Sequence, residues 1–200
     1  AQAFYEELLT TLGEYIATEI APHTQELDAQ HPVLEGGEVQ DPPRMRKIMD
    51  GLYDMGAIGI VLPRRVGGMN VPIPVYHALL EMLARPDLSV MSHYAFHGGV
   101  SAIFQMYAVE EGSFEAANGI LKKARFDDVL RSVLEKKQWG AMVLTEPQAG
   151  SDLAQIRAKA TLQPDGSWRL TGQKIFITSG HGEHHIVLAR SEDPQTNKGL

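Results

Sequence analysis

The sequence predicts an α+β multidomain fold, with an N-terminal all-α domain followed by an antiparallel β domain. Two observations carry this. Apolar residues recur at helical spacing as far as Leu134, and after Trp139 the period drops to two. The switch predicts a helical domain over residues 1–137 and a truncated β domain over residues 138–200. The chain has 200 residues, 44% hydrophobic and 22% charged, an ordinary globular composition with room for one large domain or two small ones.

The first helix places Phe4, Leu8, Leu12, Tyr15, Ile16 and Ile20 on one face, and Pro22 is expected to stop it. Residues 31–43, rich in Pro and Gly, read as a loop. Met45, Ile48, Met49, Leu52 and Met55 form the stripe of a second helix that ends at Gly56. The stretch "IGIVLPRRVGGMNVP" is an irregular connector in which Gly67 and Gly68 are free to take positive φ. Pro74 starts a third helix with Tyr76, Leu79, Leu80 and Leu83 on its inner face, and Pro86-Asp87 breaks it. The next stretch, "LSVMSHYAFHGGVSAIFQMY", is apolar on all sides, as a buried helix is. Its Gly98-Gly99 pair costs about 1 kcal/mol per glycine relative to alanine. Close helix packing or room for a ligand would each account for it. Residues 113–137 predict one more amphipathic helix, with Phe126, Val129, Leu130, Val133 and Leu134 together.

In the second part, Ile156, Ala158, Ala160 and Leu162 alternate with Arg157, Lys159, Thr161 and Gln163, as in a strand buried on one face. "PDGS" is a hairpin turn, and Trp168 and Leu170 begin the return strand. "KIFIT" is expected to continue the sheet and "HIVLAR" to add a further strand.

Composition excludes several classes. A net charge of -7 argues against a nucleic-acid surface and against docking to an acidic membrane. Without cysteine there is no disulfide and no thiolate metal site, which suits a reducing compartment. The cytoplasm is the expected location, with the mitochondrial matrix as the alternative. No stretch approaches the ~20 apolar residues of a membrane span, and the N-terminus lacks the pattern of a secretory signal. GxGxxG, GxxxxGK[ST] and GxSxG are all absent. His181, Glu183, His184 and His185 spell HGEHH, not HExxH, and read as a solvated loop. His93 and His97 sit one helical turn apart with no carboxylate to complete a site, so no metal is expected.

The stretch "MVLTEPQAGSD", residues 142–152, is the candidate site. A short apolar strand ends in Thr-Glu-Pro and then in a turn of small polar residues. Asp152 and Gln155 resemble a capping pair, and the amides near Gly150 and Ser151 could cradle an anion. A plain capped turn is the alternative. By position Glu146 is a general-base candidate, and its other role is turn formation, since Pro147 restricts it to an extended backbone.

"MVLTEPQAGSDL", followed by "GQKIFITSG" and "IVLAR", resembles the middle domain of the acyl-CoA dehydrogenase family. "MGAIGIVLPRRVGGMNV" and "MLARPDLSV" are similar to that family's N-terminal helical domain. The segment between "YAVEEG" and "LEKKQ" is longer than usual, as in a larger, divergent member. The resemblance implies FAD held among an N-terminal helical, a middle β and a C-terminal helical domain. The last of these is expected beyond Leu200, together with the catalytic base, so no catalytic residue is assigned here; the resemblance implies that Glu146, the glutamate of Thr-Glu-Pro, is not that base. Met142, Val143, Leu144, Thr145, Gly150 and Ser151 would belong to the first flavin segment. The backbone at Leu144 and the hydroxyl of Thr145 would serve the pyrimidine edge. Gly150 and Ser151 would lie near the pyrophosphate, and Ser151 also near the thioester of the substrate. In the second segment, with Ile177 between them, Phe176 would stack on the flavin ring and Thr178 would place its hydroxyl or amide at N5.

The implied reaction is α,β-desaturation of an acyl-CoA to a trans-2-enoyl-CoA, as in fatty-acid β-oxidation. Electrons would pass to an acceptor such as an electron-transfer flavoprotein, and the protein would be a homodimer or homotetramer. The same fold also serves nitroalkane oxidases, flavin monooxygenases and a non-enzymatic, DNA-binding alkylation-response relative. A chain ending inside the β domain leaves strand edges unpaired, so by itself it is expected to hold FAD weakly.

Overall fold

The helical stripes of the first half converge on one core. In the computed structural model, which describes residues 2–118 and 120–191, α1 (Gln2–Tyr15), α3 (Pro43–Asp54), α4 (Ile73–Ala84) and α5 (Leu88–Glu110) bury Leu12, Ile48, Leu52, Leu79, Leu83 and Tyr94 together. The chain divides into two compact units, Ala1–Trp139 and Gly140–Leu200. Among the described residues no helix is long and apolar enough to cross a membrane.

Three segments of the first unit differ from the sequence reading. Pro22 does not stop the helical path, because a proline early in a turn lacks only an N–H that would be unbonded anyway. The chain runs on through a π turn (Ile16–Ile20) and a 3-10 turn (Ala21–His23) into α2 (Thr24–Ala29). The expected loop at 31–43 carries a small hairpin, β1 (Val33–Glu35) with β2 (Glu38–Gln40). The helix predicted over 113–137 is confined to α6 (Asp127–Glu135), and an antiparallel hairpin, β3 (Phe114–Ala117) with β4 (Ile120–Ala124), precedes it. The predicted stripe lies wholly at or after Phe126. Upstream, Gly112 and Asn118 hold φ of 66° and 54°, values that an α-helix does not contain.

The glycine pair of α5 is explained by packing. A Cβ on Gly98 would sit 2.4 Å from the Ile58 carbonyl oxygen, and one on Gly99 would sit 2.8 Å from the Tyr76 hydroxyl. Gly98→Ala should therefore destabilise the chain by about 1–3 kcal/mol despite alanine's better helix propensity. A urea midpoint equal to or above wild type would refute this. His93 and His97 pack in the helical unit, but the expectation of no nearby carboxylate is corrected, since Asp41 Oδ2 lies 3.8 Å from His93 Nε2. Both are buried, His97 Nδ1 donates to the His93 carbonyl at 2.8 Å, and the His97 ring stacks on Trp139 with centroids 5.0 Å apart.

In the second unit, β6 (Lys159–Leu162) and β7 (Trp168–Thr171) form the expected antiparallel hairpin across the "PDGS" turn. The strand starts only at Lys159, however, and the expected buried face is not formed, since Leu162, Trp168 and Leu170 are exposed. The first strand, β5 (Gly140–Val143), pairs in parallel with β8 (His184–Val187), from Gly140 opposite His184 to Val143 opposite Val187. "KIFIT" does not continue the sheet. Residues 173–180 run as turns and extended backbone, with Phe176 and Ser179 at φ of 56° and 53°. The hydrogen bonds of Lys174 and Ile175 go to the end of β5 instead of to a neighbouring strand.

Candidate functional site

Strand β5 alternates as its period demands: Ala141 and Val143 are buried, and Met142 is 40% exposed. Past Val143 the ladder stops, with Leu144 and Thr145 half-buried. Their carbonyls are taken by the second segment. Lys174 Nζ donates to Leu144 O at 2.8 Å, and Ile175 N donates to Thr145 O at 3.0 Å. The structure thus brings Met142–Thr145 and Lys174–Thr178 together, although thirty residues separate Leu144 from Lys174.

The groups left over point to a ligand. Among the described residues, no hydrogen bond uses the amide or hydroxyl of Thr145 or of Thr178. Phe176 is 88% exposed with φ of 56°. A bulky residue in the left-handed region is a genuine outlier, and such strain concentrates at functional sites. Ile177 is half-buried, and its carbonyl accepts from Gly180 N at 3.2 Å. A flat apolar side chain near unused donors suits a planar, partly polar ring.

Glu146 has a different role from the one its position suggested. It is 3% exposed, and its carboxylate accepts from Lys174 Nζ at 2.9 Å, from Arg157 N at 2.6 Å, from Ala158 N at 2.9 Å and from Gln148 Nε2 at 2.6 Å. Burial pushes its pKa up, but the donors from Lys174, the two amides and Gln148 overcome this and hold it at about 2. A carboxylate so committed is a poor proton acceptor, so Glu146 is a clasp and not a base. Arg190, 1% exposed, braces the same region by donating to the Ile156 and Ala154 carbonyls.

Gly150 and Ser151 are exposed in the turn that follows. A Cβ on Gly150 would meet nothing within 4 Å, so close packing does not require glycine there. Neither amide makes a hydrogen bond among the described residues, and none joins these two residues to 174–178. Asp152 caps the short turn Leu153–Gln155 by accepting from Ala154 N at 3.2 Å. Gln155 enters through its backbone, its carbonyl accepting from Gln148 Nε2 at 3.4 Å. The histidines after Gly180 form no metal cluster among the described residues, and burial lowers the pKa of His184. Sequence reasoning missed Lys174, whose one visible signal was a lone cation inside the apolar run "KIFI".

Comparison with known proteins shows the family. Residues 4–112 match the family model for the acyl-CoA dehydrogenase N-terminal domain, and residues 141–200 match that for the middle domain. The chain belongs to the acyl-CoA dehydrogenase family. It is 34% identical over 200 residues to 3-methylmercaptopropionyl-CoA dehydrogenase of Ruegeria pomeroyi, covering 96% of this chain and 32% of that protein. It is 30% identical over 195 residues to the broad-specificity linear acyl-CoA dehydrogenase FadE5 of Mycobacterium tuberculosis, covering 93% of this chain and 29% of that one. The chain therefore spans about a third of the length of these family members. Butyryl-CoA dehydrogenase from Megasphaera elsdenii superposes with a TM-score of 0.72 at 23% identity, covering 98% of this chain and 45% of the other. An acyl-CoA dehydrogenase complexed with FAD from Bacillus anthracis gives a TM-score of 0.69 at 19% identity, covering 94% and 29%. At these identities the two structures speak for the fold alone.

Proposed function

We propose that this chain supplies the helical and middle β portions of an FAD-dependent acyl-CoA dehydrogenase that desaturates an acyl-CoA thioester to a trans-2-enoyl-CoA. The observation that carries this reading is the lacing of Leu144 and Thr145 to the Lys174–Thr178 segment, with Phe176 left exposed between unused threonine donors. These residues fit a flavin. Leu144 and Thr145 would bind the pyrimidine edge, Phe176 would cover one face of the ring, and Ile177 would support that segment from its half-buried side. Thr178 would direct its hydroxyl or amide to N5. Met142 and Val143 belong to the same segment, Val143 anchoring it in the core and Met142 offering apolar surface. The unused amides of Gly150 and Ser151 suit the pyrophosphate, and the Ser151 hydroxyl suits the thioester end of the substrate.

Bound there, FAD would supply the hydride-accepting chemistry of such a desaturation, with the α-proton of the acyl-CoA going to a carboxylate. Glu146 is not that carboxylate, because its oxygens are occupied by four donors. The proposed electron acceptor is a soluble one such as an electron-transfer flavoprotein, and the proposed setting is a cytoplasmic homo-oligomer.

The test uses the full polypeptide loaded with FAD and mixed anaerobically with acyl-CoAs of graded chain length. Bleaching of the oxidised flavin band is expected, and a band left intact by every acyl-CoA would overturn the proposal. Thr145→Val should lower FAD affinity by about tenfold, the worth of one lost hydrogen bond to a bound ligand. It should slow flavin reduction much less in molecules that stay loaded. Normal flavin content in Thr145→Val would remove its hydroxyl from the site.

A further inference from the structure

We propose that Lys174 is a positioning residue that sets the donor strength of the Leu144–Thr145 peptide toward the flavin. The proposal rests on the flavin reading above and adds a role for a residue outside the expected site. The Lys174 ammonium reaches two acceptors, Leu144 O at 2.8 Å and Glu146 Oε1 at 2.9 Å, and its side chain is 11% exposed. Leu144 O and Thr145 N belong to one peptide unit. A cation bonded to the oxygen draws electron density along that unit and makes the N–H at its other end a better donor. That N–H, on Thr145, makes no hydrogen bond among the described residues.

A tie between the two segments does not itself require a charge. Ile175 N already links them through Thr145 O at 3.0 Å. The second link, one peptide earlier, uses a largely covered cation, and the Glu146 carboxylate that balances it is held in turn by Arg157 N, Ala158 N and Gln148 Nε2. Such an arrangement keeps the ammonium on the Leu144 carbonyl. Two-electron reduction of a flavin places negative charge on its pyrimidine edge. A strengthened donor there stabilises the reduced form more than the oxidised form, which favours hydride acceptance.

The experiment compares the full polypeptide with two variants. In Glu146→Gln/Lys174→Met both charges go together, so no lone buried charge remains to disrupt the fold. Lys174→Arg keeps the cation. The readouts are FAD affinity and the two-electron potential from spectroelectrochemistry, neither of which depends on turnover. In the double variant the preference for reduced over oxidised FAD should fall about tenfold, equivalent to about 30 mV, while oxidised FAD stays bound. Lys174→Arg should stay near the wild-type potential. An unchanged potential in the double variant, an equal fall in both variants, or loss of FAD from both would overturn the proposal and leave Lys174 as a structural tie. If the wild-type polypeptide bound no FAD, the flavin reading would fall first, and this inference with it.

Discussion

Glu146→Ala should destabilise the β unit by about 3–5 kcal/mol, because it removes one partner of a buried ion pair. The Lys174 ammonium loses its counter-charge, and the Arg157 and Ala158 amides lose their acceptor. The effect should appear as a lower urea midpoint and as faster hydrogen exchange at those two amides. It should also change the acid response. In the folded chain the carboxyl titrates at about 2, against an ordinary value of 4.5. A folded-state value below the unfolded one means that the contribution is complete above about pH 4.5 and is lost as pH falls toward 2. The difference corresponds to about 3 kcal/mol. Wild type should therefore lose stability across that window, and Glu146→Ala should lack this component. Equal acid titrations in the two proteins, with both amides still protected, would show that Glu146 is not the clasp.

Thr178→Val should slow reduction of bound FAD by saturating acyl-CoA about ten- to a thousandfold. Thr178 is exposed, two residues after the strained Phe176, and neither its amide nor its hydroxyl is used by the described chain. A donor aimed where charge develops acts in the transition state more than in the ground state, so the rate should fall more than the binding. Valine keeps the shape and the backbone amide, which is why the loss should be partial. FAD content should stay near normal, since Thr145, Phe176 and the Gly150-Ser151 turn are unchanged. Anaerobic stopped-flow bleaching with a flavin-to-protein ratio measures both. A wild-type rate in Thr178→Val would exclude its hydroxyl from N5.

How much of this was legible beforehand differs from element to element. The stripes of α1, α3 and α4 are periodic over two turns or more, and each folded as a helix, α1 passing into a π turn at Ile16. The α5 segment folded as a helix too, but it leaves Leu88, Met106, Tyr107 and Val109 exposed instead of being buried all round. The β6–β7 hairpin was equally readable, because "PDGS" and the flanking alternation act within a few residues. Residues 113–126 misled, since a real stripe in α6 was extended backward across two positions that take positive φ. At the candidate site, the apolar strand and the small-residue turn were visible in "MVLTEPQAGSD". Position alone offered Glu146 as a base and the family resemblance withdrew that role, but neither showed what the carboxylate holds, and Lys174 was passed over.

The sequence by itself determined the main helices and the turn of the β6–β7 hairpin, though not every boundary, because hydrophobic period and turn chemistry depend on neighbours a few residues away. Only the tertiary structure decided that β5 would pair with β8 in parallel, and that "KIFIT" would leave the sheet to bond the end of β5. It also decided that a glutamate after a strand would be neutralised by a lysine twenty-eight positions later, not left to take up protons. The partner of a strand edge or of a buried charge is whichever group the whole fold carries to within three ångströms. Nothing in the local residue pattern names that group.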